Sequence, residues 1–322
     1  MRQFAKPTIV VSKCLEFDAC RYNGEMIPDV TIRNLQPFVT FIPVCPEVEI
    51  GLGTPRETIR IVEENGENRL VQPSTREDVT EKMEQFSNDF LQTISDVDGF
   101  ILKNRSPSCG TRDVKIYSGF EKAPAKGKGS GLFGGAVVKK FSHLPIEEEG
   151  RLLNFIIREH FFTRLFTIAY YKMIKHNKNM KDLVSFQSDN KYLFMAYNQV
   201  KQKELGRIIA NHKNEKIEVV FENYEKTLYE LFMRTPRYTS NVNVCEHIFG
   251  YFKTKLKKQE KDHFIELLQK YAEKKIPLSS LLTILKSWAI RFDEKYLLRQ
   301  TYFEPYPEAL VEISDSGKGR DY

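Results

Sequence analysis

The apolar residues of this chain change their period part-way along it, and that change limits the architectures open to it. Residues 1–115 hold three short runs rich in β-branched or aromatic residues, 8–12, 38–44 and 99–103. Between the last two, the stretch 76–94 carries Val79, Met83, Phe86, Phe90, Leu91 and Ile94 at helical spacing. Strand, helix, strand at these lengths predicts a parallel, Rossmann-like α/β sheet. From Leu152 onward the spacing is helical almost throughout, over 152–175, 191–212, 216–233, 242–258, 261–275 and 278–299. Breaks fall at 177–179, 211–214, Thr235-Pro236 and Pro277. An α/β parallel-sheet N-terminal domain over 1–150 is therefore expected, followed by an all-α C-terminal domain over 151–322. The Gly/Lys-rich stretch 121–136 has no apolar period and reads as a loop, and 141–151 reads as a turn. Lysines between glycines in the first of these are a weak phosphate-binding signal. The tail 314–322 is polar and expected to fray.

Composition narrows the setting. No run approaches the roughly 18 consecutive apolar residues of a membrane span. The N-terminal apolar run is too short for a signal peptide and reads as a strand, so a cytoplasmic protein with no membrane partner is expected. Five cysteines in a chain of 322 residues argue against a disulfide framework and for thiols with chemical roles. Six histidines leave little supply for a histidine-rich metal site. Charge is uneven: residues 151–322 carry 30 basic against 21 acidic residues, while 1–150 carry 19 against 22. A basic helical half suits a polyanionic partner, although a solvated lysine-rich surface has the same signature.

Three cysteines lie just beyond the ends of the three expected strands. Cys14 follows the first, Cys45 the second, and Cys109 the third after a short loop. The carboxyl edge of an open α/β sheet is where loops converge and ligands bind. Three converging thiolates suit a soft metal or a cluster. Cys20 would complete a four-thiolate zinc site, whereas three ligands on a 4Fe-4S cluster would leave one iron open, and buried thiols without a role are the plain alternative. Groups useful to a catalyst sit alongside. Glu47 is two residues from Cys45 and can act as acid or base. Ser106 and Ser108 offer hydroxyls, Arg21, Arg56 and Arg105 positive charge, and Tyr22 a stacking face.

Three segments resemble the motifs of the thiouracil desulfidase family, over about residues 5–150. They are Ser12-Lys13-Cys14-Leu15 with Cys20-Arg21-Tyr22-Asn23-Gly24, then Cys45-Pro46-Glu47 through Gly51, Gly53 and Thr54-Pro55-Arg56, then Lys103-Asn104-Arg105-Ser106-Pro107-Ser108-Cys109-Gly110. The helical remainder is similar to the YbgA-like domain, through Tyr192–Val200 and Glu204-Leu205-Gly206-Arg207. The fusion resembles bacterial tRNA 4-thiouridine desulfidases. That resemblance implies a 4Fe-4S cluster on Cys14, Cys45 and Cys109, with Cys20 not a ligand. It implies non-redox conversion of 4-thiouridine in tRNA to uridine with release of sulfide, Glu47 handling protons and Ser106 hydrogen-bonding near the substrate. Arg21, Tyr22, Arg56, Arg105 and Ser108 are candidate substrate contacts. Arg164, Lys172, Lys175, Lys201, Lys203 and Arg207 are candidate tRNA contacts, with phosphate binding sensitive to salt. Free thiouracil as substrate, or a non-catalytic RNA-binding protein with a structural cysteine–metal site, are the alternatives. The first motif reads Cys14-Leu15-Glu16-Phe17 where the family often has Cys-Leu-Leu-Gly. Cys245, among Val244 and Ile248, is expected to be a core thiol.

Overall fold

The computed structural model describes residues 2–94, 96–120, 123–211 and 214–312. In chain order its first part runs β1 (Thr8–Ser12), α1 (Val30–Leu35), β2 (Thr40–Val44), α2 (Pro46–Glu49), β3 (Arg60–Glu64), β4 (Glu67–Gln72) and β5 (Glu77–Asp78). There follow α3 (Thr80–Thr93), β6 (Gly99–Leu102), β7 (Val114–Tyr117), β8 (Ala125–Gly129), α4 (Leu132–Phe141) and β9 (Ile146–Glu148). The remainder is helical: α5 (Phe155–Asn177), α6 (Met180–Asp189), α7 (Lys191–Tyr197), α8 (Gln199–Ala210) and α9 (Ile217–Leu231). Then come α10 (Tyr238–Gly250), α11 (Lys258–Ala272), α12 (Leu278–Arg291), α13 (Lys295–Leu298) and two short 3-10 turns.

The expected parallel sheet is present and gains a fourth strand, in the order β2-β1-β6-β9 with every pairing parallel. Its centre is β1, where Ile9, Val10 and Val11 are wholly buried, as a parallel strand covered on both faces requires. Val10 lies opposite Ile42 on one side and Phe100 on the other, so all three strands end together. α3 buries Met83, Ser87 and Leu91, the face its helical spacing marked. The fold class read from the spacing, a parallel α/β part followed by a helical part, is the one observed.

A second, mixed sheet, β5-β4-β3-β7-β8, was not expected. β3 and β4 form a hairpin closed by Asn65 and Gly66, both with positive φ, which is the Asn-Gly turn that matches strand twist. The expected loop over 121–136 is corrected in the same region. Glu121 and Lys122 lie outside the described residues, but Ala125–Gly129 pairs with β7 as β8, and α4 begins at Leu132. Its glycines mark close backbone approach. A Cβ on Gly134 would lie 2.4 Å from the carbonyl oxygens of Cys109 and Gly110, and one on Gly131 would lie 2.5 Å from that of Ser108. The expected turn over 141–151 likewise contains β9.

The chain divides into two compact units, 1–169 with 309–322 and 170–308. The division falls inside α5, later than the 150/151 junction read from the change of apolar period. Leu152, Ile157, Phe161, Phe162, Leu165 and Phe166 are buried in the first unit, and Phe166 meets Phe4 edge-on with ring centres 5.9 Å apart. The helical unit has its own aromatic core: Tyr171 stacks on Tyr224 at 5.4 Å, and Trp288 packs with Phe249, Phe252 and Phe264. The single helix expected over 191–212 is two. Asn198 ends α7 and caps α8 by accepting from the Val200 and Lys201 N–H groups at 3.1 Å. Asn179 starts α6 in the same way. The end of that expected helix, His212, and the tail 314–322 lie outside the described residues. No helix is long and apolar enough to cross a membrane among the described residues.

Candidate functional site

Strand order decides what the loops can reach. β2, β1 and β6 are neighbours, so the segments carrying Cys45, Cys14 and Cys109 leave one edge of the sheet side by side. Cys14 is half-buried in the turn after β1, and Cys45 sits at the start of α2. Cys109 is buried behind the 103–109 loop, and Cys20 is buried with them. Burial, and next the Cys45 thiol, push Cys14 and Cys20 up to about 12. Cys109 is also pushed up by burial and by Cys14 and Cys45, against a hydrogen bond from the Ser12 hydroxyl. Burial and the neighbouring thiols thus disfavour the charged form of Cys14, Cys20 and Cys109, a bias that a bound cation would reverse. Among the described residues, no three His, Cys, Asp or Glu side chains are set around a single metal ion. A cluster makes a different demand, since each thiolate binds its own iron, and soft, weakly solvated sulfur is its donor. The donor set fits such a group.

Glu47 lies in the first turn of α2 and is held from two sides. Arg56 donates from Nε at 2.8 Å and from Nη2 at 2.7 Å to Glu47 Oε2. Ser108 Oγ donates to Oε1 at 2.6 Å, and Ser106 Oγ reaches the same oxygen at 3.5 Å. Arg56 Nη1 also donates to the carbonyls of Cys20 and Gly53 at 2.9 Å. With its side chain only 4% exposed, Arg56 ties three loops together. It was read as a substrate contact; its donors are instead spent on the protein. Ser106 Oγ accepts from the Cys109 N–H at 3.1 Å and the Ser108 N–H at 3.3 Å, so it shapes the turn that presents Cys109. Ser108, wholly buried, makes the tighter contact with Glu47 and also points its hydroxyl at Cys109 Sγ, 3.7 Å away.

Other groups complete the surroundings. Glu16, where the first motif departs from the resemblance, adopts positive φ and accepts from the Asp29 N–H and from Arg33 Nη2. Phe17 meets Phe41 edge-on at 5.3 Å. The first loop is therefore anchored to α1 and β2 by side chains. Lys103 pairs with Glu149, and Glu149 accepts the Asn104 N–H at 2.7 Å. Both charges act on Cys14. Glu148 accepts the Thr111 and Arg112 N–H groups at 2.7 and 3.2 Å and fixes the chain beyond Cys109. Ser12 and Lys103 open two of the motifs quoted above but carry no role in the sequence reading, and Glu148 and Glu149 stand in the segment read as a turn. Arg21 is close enough to act electrostatically on Cys14, with the exposed Tyr22 ring beside it. Arg105 is exposed on the 103–109 loop. Of the basic residues proposed for RNA, Lys175 pairs with Glu225, and Lys201 with Glu204 and Glu230. Arg164 donates to the His143 carbonyl at 3.2 Å, Lys172 is half-buried, and Lys203 and Arg207 are exposed. Cys245 is wholly buried, 3.9 Å from the Tyr302 hydroxyl.

The stretch that carries this geometry matches a known family. A model described as 2-thiouracil desulfurase covers residues 9–149, all three strand-end cysteines included. "Uncharacterized protein YbbK" of Bacillus subtilis (strain 168) is 36% identical over 118 residues, 34% of this chain and 77% of that protein. The chain belongs to the 2-thiouracil desulfurase family. A second model, "Protein of unknown function (DUF1722)", covers residues 191–307 in the helical unit. "Uncharacterized protein YbgA" of Escherichia coli (strain K12) is 23% identical over 156 residues, 48% of this chain and 92% of that protein. Among solved structures, a "[4Fe-4S]-dependent thiouracil desulfidase TudS" is similar at 26% identity with a TM-score of 0.37, over 46% of this chain and 93% of that one. The desulfurase match and the DUF1722 match do not overlap, so the fusion expected from the motifs is present.

Proposed function

We propose that this chain removes sulfur from 4-thiouridine in tRNA, leaving uridine and releasing sulfide, with a 4Fe-4S cluster held by Cys14, Cys45 and Cys109. The observation that carries the proposal is a carboxylate fixed by Arg56 and Ser108 beside thiols at the carboxyl edge of a parallel sheet. Its family description and the named desulfidase of similar sequence support the thiolated base and the cluster. The reaction balances without electrons: thiocarbonyl plus water gives carbonyl plus hydrogen sulfide. Held by Cys14, Cys45 and Cys109, such a cluster would supply a soft Lewis acid that prefers thiocarbonyl sulfur to oxygen.

The chain's own residues do the rest. The three cysteines present soft donors and Cys20 stays a buried thiol. Glu47 Oε1 takes the proton of the attacking water by exchanging the long 3.5 Å contact from Ser106, and it later returns a proton to the departing sulfur. Arg56 keeps Oε2 occupied, so the active oxygen is always Oε1. Ser106, released, donates toward the base. The helical half offers exposed Lys203 and Arg207 to phosphate, and such a reaction on thiolated RNA belongs in the cytoplasm.

The test is anaerobic reconstitution followed by the near-ultraviolet absorbance of 4-thiouridine in tRNA. Wild type is expected to bleach it with stoichiometric sulfide, whereas Cys14→Ala, Cys45→Ala and Cys109→Ala lose both iron and activity and Cys20→Ala keeps both. Glu47→Gln is expected to keep its iron and lose about 10² or more in kcat. Absorbance unchanged by iron-loaded wild type would sink the proposal. A second reading, free thiouracil as substrate, is favoured by the family's description and by the name of the similar desulfidase. Comparing kcat/KM on free 4-thiouracil and on tRNA separates the two.

A further inference from the structure

A cavity of about 460 Å3 opens beside the thiol site, within the first unit and on the second sheet. Its walls include Arg60 of β3, Lys115 and Tyr117 of β7, and Lys128 of β8. Arg105 and Pro107 of the 103–109 loop line it as well. That loop is shared: Arg105 and Pro107 face the cavity, while Ser106 and Ser108 between and beyond them contact Glu47. The loop is firmly seated, because Gly110 has no room for a Cβ against Val114 and the Ser106 carbonyl. A ligand in the cavity and a base at the thiols would therefore be held a fixed step apart.

Charge in this cavity runs against its half of the chain. Residues 1–150 are net acidic, yet Arg60, Arg105, Lys115 and Lys128 gather here against one lining acid, Asp113, which pairs with Lys128 at 3.2 Å. Lys115 and Lys128 are direct cross-strand partners in the β7–β8 register. Like charges placed directly opposite repel and destabilise a sheet unless an anion lies between them. The Tyr117 ring, with the Arg60 guanidinium 4.8 Å from its centre, adds a flat face suited to a ribose or base. The volume is within the range of sites for small ligands and nucleotides.

We propose that this cavity binds the backbone phosphate of single-stranded RNA next to the nucleotide whose base enters the thiol site. The proposal rests on an RNA substrate and deepens that reading by moving part of RNA recognition from the helical half to the desulfurase half. It also gives a purpose to one of the lysines between glycines, Lys128, which β8 delivers to the cavity, whereas Lys126 pairs with Glu63.

The probe is a fluorescent oligouridine of about ten nucleotides without sulfur, bound to the full chain and followed by anisotropy across a salt series. Lys115→Ala with Lys128→Ala is expected to weaken binding about tenfold and to reduce the slope of log K against log salt by about 0.7, the contribution of the one phosphate the cavity holds. Lys115→Arg with Lys128→Arg is expected to keep the wild-type slope, which an effect through misfolding would not do. Equal affinity and slope in wild type and the alanine pair would overturn the subsite. So would displacement of the oligonucleotide by inorganic phosphate at equal phosphate concentration, since the cavity would then be a free-phosphate site. A chain that binds oligonucleotide through these lysines yet leaves 4-thiouridine intact would sink the desulfuration reading alone. One that desulfurates tRNA while the alanine pair matches wild type in affinity and slope would sink the subsite alone, and one that desulfurates free 4-thiouracil and binds no RNA would sink the subsite and the tRNA reading together.

Discussion

Arg56 is the residue on which the site's geometry turns. It gives two nitrogens to one oxygen of Glu47 and a third to the carbonyls of Cys20 and Gly53, an arrangement that needs a planar fork. Arg56→Lys keeps the charge and loses the fork. Its kcat is expected to fall about tenfold with KM little changed, because Glu47 is no longer confined to one orientation. Arg56→Ala leaves a buried carboxylate unpaired and is expected to cost about 3–5 kcal/mol in a denaturant melt. The carboxylate and the thiols were legible in the sequence because their types carry chemistry wherever they stand. The partner of the carboxylate was not, since nine residues and a turn separate Glu47 from Arg56 and no spacing rule joins them. Ser106 and Ser108 were found as a pair, but which one shapes the turn and which one holds Glu47 depends on hydroxyl directions that only the folded loop fixes.

At the scale of elements, α4 is the support for Cys109. Its first residues bond to the loop through Gly131 N–H to the Gly110 carbonyl at 2.7 Å and Gly134 N–H to the Ser108 carbonyl at 2.9 Å. Gly134→Ala would press a methyl carbon into two carbonyl oxygens and is expected to push the loop aside. The variant should fold with a lower melting temperature and, on reconstitution, hold markedly less iron than wild type. A variant with full iron would show that the contact is slack. The helix was missed because its buried face, Phe133, Gly134, Val137 and Phe141, keeps helical spacing for only ten residues and starts inside a Gly/Lys-rich stretch. The same glycines that weaken a helix signal permit the approach that makes this helix useful. The second sheet was missed in the same way. Its hairpin was announced by Asn65-Gly66, while the flanking glutamates and asparagine diluted the alternation that marks a strand. The first sheet was legible because β1, β2 and β6 are short apolar runs that pair side by side.

For the molecule as a whole, the first unit is closed by residues from far along the chain. Arg158 donates to the Leu152 and Glu312 carbonyls at 2.7 and 2.8 Å, and Asn34 donates to the Glu312 carboxylate. Cutting at 150 therefore removes core, not only a partner domain. A chain ending at 150 is expected to be insoluble or to lack near-ultraviolet dichroism, whereas one merely lacking a detachable domain would be native-like. Acid reports on the same unit. His160 on α5 is half-buried beside Arg164, and burial, then that charge, push its pKa down to about 3. Below its ordinary value of about 6.5 the unfolded chain takes up a proton that the folded chain refuses, so stability is lost as pH falls from there toward 3. The loss attributable to His160 is about 1.4 kcal/mol per pH unit in that window. His160→Gln is expected to flatten the slope of stability between pH 6 and 5; an unchanged slope would place the acid sensitivity elsewhere. The junction near 150 was read from the 141–151 turn and the helical spacing that begins at Leu152, but the first turns of α5 bury their apolar residues in the first unit.

The return of the chain to its first unit has a consequence for synthesis. Glu312, which engages Asn34 and Arg158, leaves the ribosome only after all of residues 170–308. The unit that carries the thiols thus waits, with one of its seams open, until the helical unit has been made. Insertion of iron during translation would meet an unfinished vessel.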